Sequence, residues 1–259
     1  IEDASLEGKS PDVLVIGGGI SGTSILRELS KWDIEAWLVE KECDLAMQSS
    51  GRNDGEVHPG VDLGKGSLKQ KYVVKGNRMY DRVCKELDVP FERYGQYVGF
   101  DSAWLRPVIK AYAWQRRKIG VTDTVVMTGE ELKKIEPNLN DSFKVVLYNP
   151  MAGCVCSYGL TIAYGENAVQ NGAKIFLNTV VRSMDTENGE IKAVHTNRGT
   201  VHPKLVINAA GTFSDVIAEM AGDRFFSIHP RRGTNSITDK KAGALIKCIA
   251  SVKSLKKDN

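Results

Sequence analysis

Three glycines and one acid near the start of the chain have the types and spacing that bind a dinucleotide. Gly17, Gly19 and Gly22 follow the pattern G-x-G-x-x-G, and Glu40 follows them at the expected distance. The first glycine permits a tight turn, the second lets a pyrophosphate approach the backbone, and the third lets a helix pack closely on a strand. A carboxylate at Glu40 can accept hydrogen bonds from both ribose hydroxyls. It would repel a 2′-phosphate, which argues against NADP.

The elements that must hold these residues form a βαβ unit. The apolar run Asp12–Ile16 predicts a buried parallel strand, and Trp37–Val39 predicts a second one. Between them, Ile25, Leu26 and Leu29 lie at helical spacing and would face the sheet. The free N–H groups and the dipole at the start of this helix can hold a phosphate. The fingerprint therefore predicts a dinucleotide-binding unit, because it stands between a strand and a helix with the acid in place.

The segment 47–60 is polar, rich in glycine and without periodicity, so it predicts a loop. It carries hydroxyl groups, an asparagine and several glycines, which suit the pyrophosphate and the ring system of a cofactor. A solvated surface loop is the alternative interpretation.

Bulk composition indicates an ordinary globular protein. The chain has 259 residues, 42% hydrophobic and 26% charged, and its net charge of +3 is spread out, so we expect no nucleic-acid partner. No apolar run has the length that spans a bilayer. The five cysteines are odd in number and unpaired in spacing, which indicates reduced thiols in a reducing compartment. Cys154 and Cys156 lack a second pair or a histidine cluster, so we expect no metal site.

The remaining patterns alternate helices and strands. Helices are predicted over 65–87, 103–119 and 160–171, with a capping box at Thr128 and Glu131. Strands are predicted over 143–148, 153–156, 174–177, 205–208, 225–236 and 244–252, and a meander over 180–201 turns at Asn188-Gly189. This order predicts a mixed α/β protein in which a substrate domain interrupts a dinucleotide domain. We assign residues 1–86 and 151–224 to the dinucleotide domain, and residues 87–150 and 225–259 to the substrate domain.

Several motifs together resemble the FAD-dependent oxidoreductases of the D-amino-acid oxidase superfamily. The nearest branches are FAD-dependent glycerol-3-phosphate dehydrogenase of the anaerobic A-subunit type and L-2-hydroxyglutarate oxidase. Besides the glycine fingerprint, the motifs are Ser49-Ser50-x-x-Asn53-x-Gly55-x-x-His58-x-Gly60, Gly66-Ser67-Leu68-Lys69, Glu136-Pro137-Asn138, Asn208-Ala-Ala-Gly211 and His229-Pro-Arg231-Arg232-Gly233. The resemblance implies a Rossmann-like FAD-binding domain of the glutathione-reductase-like type with an interleaved, mixed-sheet substrate domain.

The same resemblance implies FAD as the cofactor and assigns its contacts. Ser49 and Ser50 would lie on the pyrophosphate side, Asn53 and Gly55 would approach the flavin, and the backbone at Val181 would meet the adenine. The full set of cofactor residues is Gly17, Gly19, Gly22, Glu40, Lys41, Ser49, Ser50, Asn53, Gly55, Val181, Ala210 and Gly211. Members of this family carry a further segment. We therefore expect this sequence to be one piece of a longer chain, all the more because the predicted strand 244–252 would lack a partner. A naturally shortened homologue is the alternative.

The implied chemistry is hydride removal from the secondary alcohol of a small anion. His58 is the candidate base for the hydroxyl proton, because an imidazole titrates near neutrality and this position faces the flavin in the family. Arg232, with Arg231 beside it, is the candidate clamp for a phosphate or carboxylate. A flavin amine or amino-acid oxidase, which would not need this base, is the second interpretation, and a non-catalytic cofactor-binding piece or scaffold is the third.

The resemblance also bears on partners and location. It allows an electron-acceptor subunit or a quinone as a partner. We expect a cytoplasmic protein without a transmembrane segment. Peripheral attachment to the inner face of the membrane is compatible with this expectation.

Overall fold

The computed structural model describes residues 4–139, 141–231 and 233–252. Over these residues the α-helices are α1 (Ile20–Leu29), α2 (Leu68–Asn77), α3 (Tyr80–Glu86), α4 (Arg106–Lys118), α5 (Gly129–Lys133), α6 (Ser157–Gln170) and α7 (Ser214–Met220). The strands are β1 (Val13–Ile16), β2 (Ala36–Val39), β3 (Glu56–Val57), β4 (Phe91–Glu92), β5 (Gln96–Phe100), β6 (Val125–Met127), β7 (Val145–Asn149), β8 (Gly153–Val155), β9 (Lys174–Phe176), β10 (Val181–Glu187), β11 (Glu190–Thr196), β12 (Gly199–Val201), β13 (Leu205–Asn208) and β14 (Ile249–Val252). Short 3-10 turns cover Ser49–Gly51, Ala103–Leu105, Gly211–Phe213 and Lys240–Ala244. No helix within the described ranges is long and apolar enough to cross a membrane.

The chain divides into two compact units. The first runs to Asn53 and resumes over Cys156–Thr234, and the second comprises Asp54–Val155 and resumes at Asn235. The boundaries between the units, after Asn53, Val155 and Thr234, differ from the predicted boundaries after residues 86, 150 and 224. Residues 54–86 fall in the second unit because their side chains bond to it. Gln70 donates to the Ile119 carbonyl at 2.7 Å, and Asn77 donates to the Met151 carbonyl at 2.9 Å.

The first unit is built on a parallel sheet with the strand order β13-β1-β2-β9. Its central strands β1 and β2 are continuous apolar runs of buried residues because both faces are covered. On one face Leu14 and Ile16 pack with α7 and with the meander β10–β11–β12. On the other face Val13 and Val15 pack with Leu26 of α1 and with α6. The predicted βαβ unit and α/β class are confirmed. The predicted Asn188-Gly189 turn of the meander is also present, with φ of 52° and 79° at those two residues.

Three strand ends of this sheet lie at the same level. Ile16 is in register with Val39 of β2 and with Asn208 of β13. The loops that follow these residues therefore meet at one edge of the sheet, where ligands bind in parallel α/β proteins.

The second unit contains two sheets, one mixed with the order β14-β5-β7-β6 and one antiparallel with the order β3-β8-β4. Strand β14 pairs in parallel with β5, from Ile249 opposite Gln96 to Val252 opposite Gly99. The expectation that the last strand would lack a partner is therefore wrong. The antiparallel pairing of β5 with β7 leaves the other edge of β5 open to receive it.

Two local predictions in the second unit are confirmed. Helix α4 has Pro107 in its first turn, where the missing N–H costs nothing. Helix α5 begins with a capping box: Thr128 Oγ1 accepts from the Glu131 N–H, and the Glu131 carboxylate accepts from the Thr128 N–H at 2.7 Å.

Two element predictions are wrong. The segment 65–87 is not one helix, because it breaks between α2 and α3 after Gly76 and Asn77, both weak helix formers. Asn77 is buried and donates to the His58 carbonyl at 3.0 Å, a contact that draws this turn toward the β3 loop. The described part of 225–236 forms no strand. Phe225 is 81% exposed, and the Ile228 N–H donates to the Asp215 carboxylate rather than to a neighbouring strand.

Candidate dinucleotide-binding site

The glycine loop after β1 is shaped by close backbone approaches. Gly17 has φ of +113°, and a Cβ there would lie 2.5 Å from the Ala209 carbonyl oxygen. A Cβ on Gly22 would overlap the Gly17 carbonyl oxygen, so α1 can pack against the loop only through a glycine. At Gly19, a Cβ would lie 3.1 Å from Ser50 Oγ. Gly17 and Gly22 thus have the steric roles that the fingerprint predicts, while Gly19 borders a cavity and its approach to a pyrophosphate stays a prediction.

Glu40 ties the end of β2 to this loop. Glu40 is buried, with 9% of its surface exposed. One oxygen of its carboxylate accepts a hydrogen bond from the Gly18 N–H, and the other accepts one from the Glu42 N–H at 2.9 Å. A carboxylate has about four lone-pair sites, so ribose hydroxyls can still be accommodated. The ribose contact stays a prediction, while the structural contact to Gly18 is a role that the sequence did not indicate.

Ser50 caps the helix that follows the glycine loop. Ser50 Oγ accepts from the Ile20 N–H at 2.9 Å, at the first residue of α1. Asn53 holds the Ser50 turn in place, since its side-chain amide donates to the Ser49 and Ser50 carbonyls at 2.9 Å each. The positive end of the α1 dipole and a hydroxyl group therefore lie together, an arrangement that suits a phosphate.

These groups line a cavity of about 320 Å³ at the carboxyl edge of the parallel sheet. The predicted cofactor residues that line it are Gly17, Gly19, Glu40, Lys41, Ser49, Ser50, Val181, Ala210 and Gly211. Its other walls are mostly apolar side chains, among them Val39, Val216 and Ile217. A polar, glycine-rich end next to apolar walls fits the phosphate and the adenine of the ADP half of a dinucleotide. The residues present therefore fit the predicted group.

Phe213 and Thr179 line the same cavity and were not predicted. Lys41 Nζ lies 3.9 Å from the centroid of the Phe213 ring, a cation–π contact beside the cavity. The signal that could have found Phe213 is its place in the turn directly after Asn208-Ala-Ala-Gly211. Thr179 carried no sequence signal, because it reaches the cavity only through the pairing of β9 with β2.

The other predicted residues that the structure describes do not line this cavity. Gly22 supports the loop from behind, and Asn53 holds the Ser50 turn. Gly55 and His58 belong to the second unit. There, Gly55 has φ of +70° and lies against the Val155 carbonyl, while His58 follows β3 with its side chain half-exposed. Arg231 is exposed, and Arg232 lies outside the described residues, so the anion clamp stays a prediction.

Comparison with known proteins bears on this site. The model of the family described as FAD-dependent oxidoreductase (DAO) matches residues 12–255. The chain is 37% identical over 239 residues to glycerol 3-phosphate dehydrogenase of Caloramator mitchellensis, which covers 92% of this chain and 49% of that protein. It is 31% identical over 210 residues to L-2-hydroxyglutarate dehydrogenase of Indibacter alkaliphilus, which covers 80% of this chain and 52% of that protein.

A solved structure with its cofactor in place is also similar. Reduced L-α-glycerophosphate oxidase of Mycoplasma pneumoniae with FAD bound matches with a TM-score of 0.73 and 25% identity, over 83% of this chain and 56% of that one. The chain spans about half the length of the curated relatives it matches.

Proposed function

This chain belongs to the FAD-dependent oxidoreductase family, and we propose that the whole protein oxidises the secondary alcohol of a small anionic substrate. The family resemblance predicted from the motifs is confirmed, and the cofactor is FAD. The first candidate reaction is glycerol 3-phosphate to dihydroxyacetone phosphate. The observation that carries it is the cavity beside the glycine loop, in a chain 37% identical to a glycerol 3-phosphate dehydrogenase.

The residues around the cavity define how the cofactor would be held. The Gly19 backbone and the hydroxyls of Ser49 and Ser50 would bind the pyrophosphate, with Ser50 held in place by the Ile20 N–H. Glu40 would accept from the ribose hydroxyls, and the apolar wall near Val181 would contact the adenine. Bound FAD supplies the acceptor for a hydride.

His58 is the proposed base for the substrate hydroxyl proton. An imidazole can accept a proton near neutral pH, and the half-exposed ring can be reached by a small molecule. The arginine pair Arg231 and Arg232 is the proposed clamp for the anionic group, since a guanidinium matches phosphate and carboxylate alike.

L-2-hydroxyglutarate is the second candidate substrate, favoured by the 31% identity to a dehydrogenase of that name. It carries a carboxylate in place of the phosphate, so the proposed arginine clamp suits either anion. Substrate tests must therefore include both compounds.

Turnover by the flavin-loaded protein with an artificial electron acceptor tests the proposal. We expect glycerol 3-phosphate to be oxidised to its ketone, and His58→Ala to lower the rate by roughly 10²–10⁴-fold with FAD content unchanged. His202→Ala is a matched control, since this exposed histidine lies in the first unit, where its ring contacts the Lys192 carbonyl at 3.0 Å. If amino acids are oxidised and neither hydroxy anion is, the amine interpretation replaces this one.

We also propose that the protein binds peripherally to an anionic membrane surface through α4. Trp104, in the turn before the helix, is 69% exposed, and Val108 and Trp114 are 55% and 56% exposed. The opposite side of α4 is buried in the core of the second unit. Exposed cations flank the apolar side chains: Arg106, Lys110, Arg117 and Lys118.

This combination suits the interface of a bilayer. Tryptophan rings sit at the level of the lipid headgroups, and lysine and arginine are attracted to anionic lipids. A quinone dissolved in that membrane would then serve as the electron acceptor, with a partner subunit as the alternative.

A further inference from the structure

Strand β3 places a second titratable side chain beside the proposed base. Glu56 and His58 are two residues apart, so they project to the same side of the extended chain, while Val57 between them is buried. The strand is fixed by antiparallel pairing of Glu56 with Cys154 and of Val57 with Gly153. His58 Nδ1 lies 3.3 Å from Glu56 Oε1.

Glu56 is itself held in one orientation. Gln96, at the start of β5, donates from Nε2 to Glu56 Oε1 at 2.9 Å. The Glu56 side chain is only 15% exposed, whereas the imidazole next to it is 51% exposed. The result is a chain of contacts from Gln96 through Glu56 to His58 that ends at the solvent-accessible ring.

The contact defines which ring nitrogen is free. A carboxylate next to Nδ1 favours the tautomer that carries its proton there, and Nε2 then presents its lone pair outward. A base needs that lone pair directed at the substrate. When the ring takes a proton, the carboxylate also stabilises the positive charge that forms, as an aspartate does for histidine in hydrolases.

The surroundings of Glu56 are unusual for a surface carboxylate. Burial raises the pKa of Glu56 above its usual range, and the nearby carboxylates of Asp54 and Asp62 add to the increase, while His58 opposes it. The Cys154 thiol, on the paired strand, also faces this group. The carboxylate of Asp54 makes a different contact, because it accepts a hydrogen bond from the Glu56 backbone N–H at 3.2 Å. Glu56 is therefore the carboxylate that meets the imidazole.

We propose that Glu56 is a positioning residue for the oxidation: held by Gln96, it orients His58 and stabilises the imidazolium that forms. This inference rests on the proposed function. In the step itself, the substrate O–H proton moves to His58 Nε2 and the O–H electron pair becomes the second bond of the carbonyl. FAD, when bound, would supply the two-electron acceptor for the hydride that leaves the carbon.

The test is anaerobic reduction of the flavin-loaded, full-length protein, with glycerol 3-phosphate and with L-2-hydroxyglutarate, by Glu56→Gln and Glu56→Asp variants. Glu56→Gln keeps the shape of the side chain but removes its charge. We expect its limiting reduction rate to fall roughly 10- to 100-fold, with little change in the substrate concentration for half-saturation. Glu56→Asp should recover part of the rate. Asp62→Asn, which removes a neighbouring charge that is not part of the contacts from Gln96 through Glu56 to His58, should stay within about twofold of the unmodified protein.

Two further readouts separate positioning from a merely structural role. The first readout is a plot of the logarithm of the reduction rate against pH. If Glu56 and His58 must both be deprotonated, the slope of this plot at low pH should approach two. In Glu56→Gln, where only His58 titrates, the slope should be one. In addition, His58→Ala combined with Glu56→Gln should be no slower than His58→Ala alone, because the two residues act as a unit.

The outcomes distinguish this inference from the proposed function. An unaffected rate in His58→Ala would reject the proposed base, and the role of Glu56 with it. A slow His58→Ala together with a normal Glu56→Gln, an unchanged slope, or strictly multiplicative losses in the double variant would overturn the role of Glu56 alone. Normal FAD content in each variant excludes misfolding as the cause.

Discussion

At the scale of single residues, the distance between the glycine loop and the Ser50 turn decides what can occupy the cofactor cavity. Gly19 and Ser50 Oγ are so close that a single Cβ at position 19 would already press on the hydroxyl. That hydroxyl in turn satisfies the first N–H of α1. Larger side chains at position 19 would therefore act both on the helix cap and on the space for the phosphate.

Gly19→Val should abolish FAD binding. Its methyl groups would occupy the space in which the pyrophosphate approaches the backbone, and they would displace Ser50. FAD content of the purified protein, measured after release of the flavin, checks this. Gly76→Ala is the control, since a Cβ at this helical position meets nothing within 4 Å. A Gly19→Val protein that retains a full complement of FAD would contradict the assignment of the fingerprint.

The cysteines differ in their exposure and ionisation. Cys43 is exposed, whereas Cys84 and Cys248 are buried, and burial raises the pKa of each of these two thiols to about 11. Because the thiolate is the reactive form, alkylation of the native protein at neutral pH should modify Cys43 and spare the two buried thiols until the protein unfolds. Peptide mass mapping after iodoacetamide treatment measures this. Early modification of Cys248 would show that the start of the β5–β14 pair opens in solution.

At the scale of elements, local patterns predicted structure well where neighbouring residues alone determine it. The capping box at Thr128 and the Asn188-Gly189 turn are examples, since each depends on hydrogen bonds or backbone angles within a few residues. The prediction of one helix over 65–87 is wrong because a distant contact, from the Asn77 side chain to the His58 carbonyl, overrides the helical pattern. The segment around Phe225 has the composition of a strand, but its Ile228 N–H donates to the Asp215 carboxylate instead of to a strand.

The α4 surface gives a prediction at this scale. The protein should bind vesicles that contain anionic lipid and should bind vesicles of neutral lipid much more weakly, because apolar and cationic side chains act together. Replacing both Trp104 and Trp114 by serine should remove most of that binding. Trp32→Ser is the matched control, since Trp32 is 72% exposed but lies outside α4. Equal binding of the double variant in a sedimentation assay would contradict the proposal.

At the scale of the whole molecule, the family and the cofactor could be predicted from the sequence, while several site contacts could not. The glycine fingerprint and the Asn208–Gly211 turn are contiguous motifs that the parallel sheet brings to one edge. Phe213 beside Lys41, and Glu56 held by Gln96, join residues that only the folded chain brings together. The start of the second unit at Asp54 has the same origin, because side chains of 54–86 bond to residues far along the chain.

The most direct test of the central claim is an anaerobic titration of the purified full-length protein, followed by visible absorbance. We predict about one bound FAD per chain, whose oxidised absorbance is bleached by stoichiometric glycerol 3-phosphate or L-2-hydroxyglutarate and restored by an electron acceptor. The Gly19→Val protein in the same experiment should be colourless. A protein that binds no flavin, or one whose flavin is reduced by amino acids and by neither hydroxy anion, would contradict the proposed function.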